Sequence, residues 1–130
     1  MIKCVSTVSV FVGDQERAKV FYTDILGFEL RADAPLYPGA KARWIAVAPE
    51  GAETELILYL PDENWSHYEQ VVGKSQAITL DVSDMESTSK ALKSKGVNFV
   101  QEPDVQPWGT FAIIEDSEGN NLLLVQQPVG

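Results

Sequence analysis

The chain is short of the residues from which catalytic and metal centres are usually built. Its 130 residues include one cysteine, Cys4, and one histidine, His67. A lone thiol closes no intramolecular disulfide, a single histidine makes no polyhistidine metal site, and a nucleophilic triad would have His67 alone to serve as its base. Long apolar runs are missing too. Nothing approaches the roughly 18 residues of a membrane span, and Met1-Ile2-Lys3-Cys4-Val5-Ser6 lacks the apolar stretch of a secretory signal. The cytoplasm is therefore the expected compartment, with no membrane partner. Positive charge is scarce: 10 basic residues are scattered against 19 acidic ones, for a net charge of −9. A phosphate backbone would be repelled, which argues against a nucleic-acid partner. The acidity fits a well-solvated surface first, and a surface that attracts cationic ligands as the sharper alternative.

What the chain does have is a message stated twice. Val8 to Asp14 leads into a helix-like stretch ending at Gly27, and Ile78 to Asp84 leads into another ending at Gly96. Asp14 and Asp84 lie 70 residues apart, Gly27 and Gly96 lie 69 apart, and Gly51 and Gly119 lie 68 apart. An offset that shrinks by single residues is the trace of a duplicated module with small deletions.

Each copy reads as the same run of elements. Residues 5–12 are β-branched and apolar, which predicts a strand. Asp14 caps a helix, with Glu16 in its first turn where the dipole favours negative charge. Ala18, Phe21, Tyr22, Ile25 and Leu26 fall on one helical face, and Gly27 ends it. A strand over 28–32 follows, then a loop through Pro35, Pro38 and Gly39, then a hairpin of Arg43–Ala48 with Thr54–Leu60. Residues 61–75, with Trp65, His67 and Tyr68, read as the connection. The order then repeats: strand 76–82, a helix capped by Asp84, strand 97–101, a loop through Pro103 and Pro107, and a hairpin of 110–115 with 121–127 across Asp116–Asn120. The expected organisation is one α+β domain of two βαβββ modules, 4–61 and 76–128, joined by a linker over 62–75, with each helix on the convex side of its sheet.

Two such modules in a short chain resemble the vicinal oxygen chelate superfamily, the group of glyoxalase I, bleomycin-resistance proteins and extradiol dioxygenases. The matching words are Val12-Gly13-Asp14, Phe21-Tyr22-Thr23-Asp24-Ile25-Leu26-Gly27-Phe28 and Asp116-Ser117-Glu118-Gly119-Asn120. The resemblance implies that the modules curl into a cup. It also implies that the metal-dependent members carry ligands seven residues before each capping aspartate and four past each hairpin glycine. Those counts give Thr7, Ala77, Glu55 and Leu123. Only Glu55 is a plausible ligand, and a divalent ion wants at least three donors, so no metal and no other cofactor is expected.

Other chemistry is thin. Cys4 reads as a structural thiol at a strand start, and His67 as a solvated linker residue. Glu55 shares parity with Ile57 and Tyr59. It is either a solvated carboxylate beside Glu53 or a cup-facing one able to move a proton or hold a cation. Gln106-Pro107-Trp108-Gly109 resembles the same region of bleomycin-resistance proteins, which are acidic homodimers that bind a cationic drug without catalytic metal. Trp108 is open to two roles, capping the core or offering a stacking surface, whereas Trp44 and Trp65 read as packing residues. Arg43-Trp44-Ile45-Ala46-Val47-Ala48-Pro49 looks like a group of glyoxalase-like bacterial members, and Arg43 and Arg31 are candidate anchors for an anionic substrate.

The candidate ligand contacts are thus Thr7, Ser9, Arg43, Glu55, Tyr59, Trp108, Phe111 and Leu123. The expectation is a homodimeric, metal-independent small-molecule-binding protein that takes a cationic or planar ligand. The rival is a lyase, isomerase or dioxygenase with an atypical site using Glu55.

Overall fold

The computed structural model describes residues 1–61 and 63–128, without the side chains of Glu63, Asn64, Trp65 and His67. The readings of Trp65 as packing and of His67 as solvated lie outside what is described. In the first half β1 (Thr7–Phe11), α1 (Gln15–Val20), β2 (Glu29–Pro35), β3 (Arg43–Ala48) and β4 (Glu55–Tyr59) follow in order. In the second half β5 (Ile78–Asp81), α2 (Met85–Ser94), β6 (Phe99–Gln106), β7 (Gly109–Glu115) and β8 (Asn121–Gln126) repeat them. Each half forms a four-stranded mixed sheet, in the orders β1-β4-β3-β2 and β5-β8-β7-β6. The parallel pairs are β1 with β4 and β5 with β8. This is the expected α+β architecture. Among the described residues no helix is long and apolar enough to cross a membrane.

Both capping aspartates act as the sequence indicates: Asp14 accepts from the Arg17 amide and Asp84 from the Glu86 amide. The first helix departs from regularity. Past Val20 it widens into a π-helical turn over Phe21–Ile25, and the Leu26 amide donates to the Phe21 carbonyl at 3.0 Å. The stretch from Asp14 to Gly27 is one residue longer than that from Asp84 to Gly96. The π turn absorbs this extra residue while keeping Phe21 and Tyr22 on the buried face.

Two strands run further than their prolines indicate. β2 continues to Pro35 and β6 passes through Pro103. Both are edge strands, where every second N–H points away from the ladder, and Pro103 also falls at the register shift between Gln101 and Asp104. The connection also differs from a plain linker, since Glu63–Val71 forms a 3-10 helix lying against β1.

One hydrophobic core serves both halves. Val10, Tyr22, Ile45 and Leu58 from the first half join Met85, Leu92, Ile114 and Leu122 from the second. These residues come from the two helices and from the strand parity that faces them, so each helix packs on one face of its sheet. The Asp116–Asn120 turn ties the halves together by hydrogen bonds. Tyr22 Oη donates to Asp116 Oδ2 at 2.7 Å, Asn120 Nδ2 donates to the Phe11 carbonyl at 3.4 Å, and Glu118 Oε1 accepts from the Gly13 and Asp14 amides at 3.0 and 2.9 Å.

Candidate functional site

On the face of the first sheet opposite α1, strand parity sets Thr7, Ser9 and Phe11 beside their register partners Glu55, Ile57 and Tyr59. The 3-10 connection crosses this face and stacks Tyr68 on Phe11, with ring centroids 4.5 Å apart and planes 12° from parallel. Tyr59 meets Phe11 edge-on at 6.0 Å. Ser9, Phe11, Tyr59, Tyr68 and Gln76 line a pocket of about 450 Å³. Gln76 closes one side by donating from Nε2 to the Ser9 carbonyl at 2.7 Å. The result is a hollow with aromatic walls and a polar end, the form in which small organic ligands are usually held.

Two of the eight sequence-derived candidates, Ser9 and Tyr59, line this pocket. Thr7 and Glu55 lie on the same face, one pleat further back. The Glu55 carboxylate is half-buried and accepts from Arg31 Nη1 at 3.3 Å, while Arg31 Nη2 also donates to the carbonyls of Pro49 and Ala52. Arg31 and Glu55 therefore brace the first hairpin.

Arg43 stands elsewhere. It shares parity with Ile45 and Val47 on the α1 side, and its guanidinium pairs with Asp33 at 2.7 Å and Glu16 at 3.1 Å. These bonds hold Asp33 down at about 2 and raise Arg43 further above its already high range. Arg43 is thus paired with two carboxylates and does not line the aromatic pocket.

Trp108, Phe111 and Leu123 belong to the second half and do not line the pocket. Trp108 sits at the β6–β7 hairpin tip, 53% exposed, with its ring 5.4 Å from that of Phe111. The exposure rules out core capping for Trp108.

Strand register also corrects the equivalence between Glu55 and Leu123. Leu123 faces Thr79, two residues past Ala77, and the position two past Thr7 is Ser9, which faces Ile57. Leu123 therefore matches Ile57, and Glu55 falls two residues short. The cause lies in the hairpins: β4 starts four residues after Gly51, whereas β8 starts two residues after Gly119. The corrected quartet of Thr7, Ile57, Ala77 and Leu123 offers one neutral hydroxyl, which does not fit a divalent ion. Among the described residues no three of His, Cys, Asp and Glu gather at a metal-binding distance.

Sequence reasoning missed Phe11, Tyr68 and Gln76. Phe11 carried a usable signal, since it shares the parity of Thr7 and Ser9. Tyr68 was visible only as one aromatic in a polar connection, and nothing local marked Gln76.

A paired βαβββ architecture with an aromatic pocket on one sheet defines the class of molecule. The chain belongs to the Glyoxalase/Bleomycin resistance protein/Dioxygenase superfamily, whose model matches residues 5–124. Protein YetH of Bacillus subtilis is 41% identical over 124 residues, covering 95% of this chain and 98% of that one. A probable lactoylglutathione lyase of Synechocystis is 32% identical over 118 residues, covering 88% of each. The crystal structure of TnmS3, an antibiotic binding protein from Streptomyces sp. CB03234, is 35% identical. It superposes with a TM-score of 0.84 over 98% of both chains.

Proposed function

We propose that this protein is a metal-independent small-molecule-binding protein that sequesters a planar or cationic organic ligand. The observation that carries this reading is the aromatic pocket of Phe11, Tyr59 and Tyr68 with Ser9 and Gln76 at its polar end. Flat rings favour flat ligands by stacking. A cation over such a ring gains about 0.5–2 kcal/mol, depending on how far water is excluded. The net charge of −9 adds attraction for a cation at long range, and the likeness to an antibiotic binding protein supports binding of a small organic molecule. The reading includes a homodimer. The exposed Trp108 and Val105, on the β6–β7 hairpin, offer apolar surface for a second copy to cover.

Thermal-shift titration with 9-aminoacridine, anthracene-9-methanol and anthracene-9-carboxylate tests the ligand class. The cation is expected to raise the melting temperature most, and Tyr68→Ala to weaken it by about fivefold, the equivalent of 1 kcal/mol of lost stacking. Light scattering at tens of micromolar tests the dimer. The rival is lyase or isomerase chemistry through Glu55, and the likeness to a probable lactoylglutathione lyase speaks for it. Stoichiometric metal after chelator-free purification, or lactoylglutathione lyase turnover with added Ni²⁺, Zn²⁺ or Mn²⁺ that Glu55→Gln abolishes, would reverse the choice.

A further inference from the structure

Duplication gives the molecule two seams at which the helix of one half meets the hairpin of the other. At the first seam α1 and its π turn face Glu115–Ser117 and Lys95–Asn98 across a cavity of about 520 Å³. At the second, α2 faces Pro49 and Glu50 and the segment Leu26–Phe28 across about 330 Å³. The correspondence is close: Leu26, Gly27 and Phe28 match Lys95, Gly96 and Val97, and Tyr22 matches Leu92. The linings differ in charge. The second seam has Glu50 and Asp81 and no basic residue, whereas the first has Arg17 and Lys95 at its rim.

These two cations are uncommitted. Lys19, Arg31, Arg43, Lys90 and Lys93 each make an ion pair, but among the described residues Arg17 and Lys95 make none. Lys95 Nζ rests on the carbonyls of Asp24 and Ile25 at 3.3 and 3.4 Å. The acids of the same seam are engaged. Asp116 is 6% exposed and accepts from Tyr22 Oη, Asn120 Nδ2 and the amides of Glu118 and Asn120. Glu115 accepts from the Asn98 amide group. Beneath the cations the wall is apolar, formed by Val20, Phe21, Ile25 and Val97. Ser117 also lines the cavity, and its hydroxyl oxygen is buried without a hydrogen-bond partner. A hydrogen bond to a guest would give this oxygen the partner it lacks.

We propose that this seam is a second binding site, separate from the aromatic pocket, for a small organic anion: a carboxylate carrying an aromatic or short alkyl body. The body lies on Val20, Phe21 and Val97, and the carboxylate meets Arg17 and Lys95 through charge-assisted bonds. The volume is in the range of ordinary ligand sites.

The test is an NMR amide-shift titration of the full chain with 2-naphthoate, using 2-naphthylmethylammonium as the probe of opposite charge. Saturable shifts are expected at Gly96, Val97 and Ser117. Arg17→Glu should raise the dissociation constant by about fivefold or more, and so should Lys95→Leu, which copies the residue of the other seam. Arg17 lies on an exposed helix position, so Arg17→Glu is expected to leave the melting temperature unchanged and keeps the test valid should Lys95→Leu unfold. Shifts confined to Ser9 and Gln76 would move the anion to the aromatic pocket and overturn this second site. Equal binding of the ammonium probe at the seam, less than about twofold weakening by Arg17→Glu, or no saturation up to about 10 mM would overturn it as well.

Discussion

Replacing Tyr22 tests whether one buried hydrogen bond joins the two halves of this molecule. Tyr22 is 0% exposed, and its hydroxyl donates at 2.7 Å to Asp116, 94 residues away. Asp116 holds three further donors at 2.9 Å: the Asn120 side-chain amide and the amides of Glu118 and Asn120. A hydrogen bond to a charged partner contributes about 1.5–3 kcal/mol, so Tyr22→Phe is expected to destabilise by about 2 kcal/mol. Asp116→Ala strands several donors together, including the Tyr22 hydroxyl, and is expected to lose about 3–5 kcal/mol. That is a large share of the roughly 5–15 kcal/mol available to a domain. Urea unfolding followed by circular dichroism measures both, and the double mutant should show a coupling of about 1–2 kcal/mol.

Alkaline pH supplies a second readout of the same pair. Burial first, and then the Asp116 charge and hydrogen bond, raise Tyr22 well above the usual tyrosine range. Above pH of about 10 the unfolded chain ionises this tyrosine while the folded one keeps its proton. The folded state then binds more protons, and stability falls as pH rises. Tyr22→Phe should remove that slope. A loss below about 0.5 kcal/mol with the alkaline slope unchanged would refute the view that this bond joins the halves.

Two further perturbations follow from the same geometry. Asp33, held at about 2 by Arg43 with help from Lys19, contributes stability that is full above the ordinary aspartate range and lost as pH falls through about 2. For a pair this open to solvent the contribution is about 0.5–1 kcal/mol, and Asp33→Asn should flatten the acid limb of a pH–stability curve by that amount while leaving 9-aminoacridine binding unchanged. Gly73 has φ of +76°, and a β-carbon there would lie 2.6 Å from the Glu118 carbonyl oxygen. Gly73→Ala should therefore destabilise by about 1–3 kcal/mol in thermal melts, through backbone strain and displacement of the turn.

Local patterns announced the elements well because each is determined locally. Alternation set the strands, the two aspartates set the helix starts, and the glycine spacings set the repeat. Pro35 and Pro103 misled as loop signals because edge position, which permits a proline in a strand, is a property of the whole sheet. The site was less legible for the same reason. Ser9 and Tyr59 could be picked by parity, but the pocket owes Tyr68 to the path of the connection and Gln76 to the seam between the halves. Counting from Gly51 and Gly119 failed at Glu55 because hairpin length, and not the glycine, sets strand register.

The repeat is most informative where the copies disagree. Tyr22 and Asp116 form a buried bond at one seam, while their counterparts are Leu92 and, by the glycine offset, Ala48. The aromatic wall of Phe11, Tyr59 and Tyr68 lies on the first sheet, and Asp81 and Val125 stand at the positions of the second that match Phe11 and Tyr59 by register. The cations Arg17 and Lys95 occupy one seam, and their places at the other are taken by Ser87 and Leu26. Folding needs only that both copies keep their apolar strands, helix caps and turn glycines, and both do. The aromatic wall occurs on one sheet alone and the cationic rim at one seam alone, so the fold does not require them.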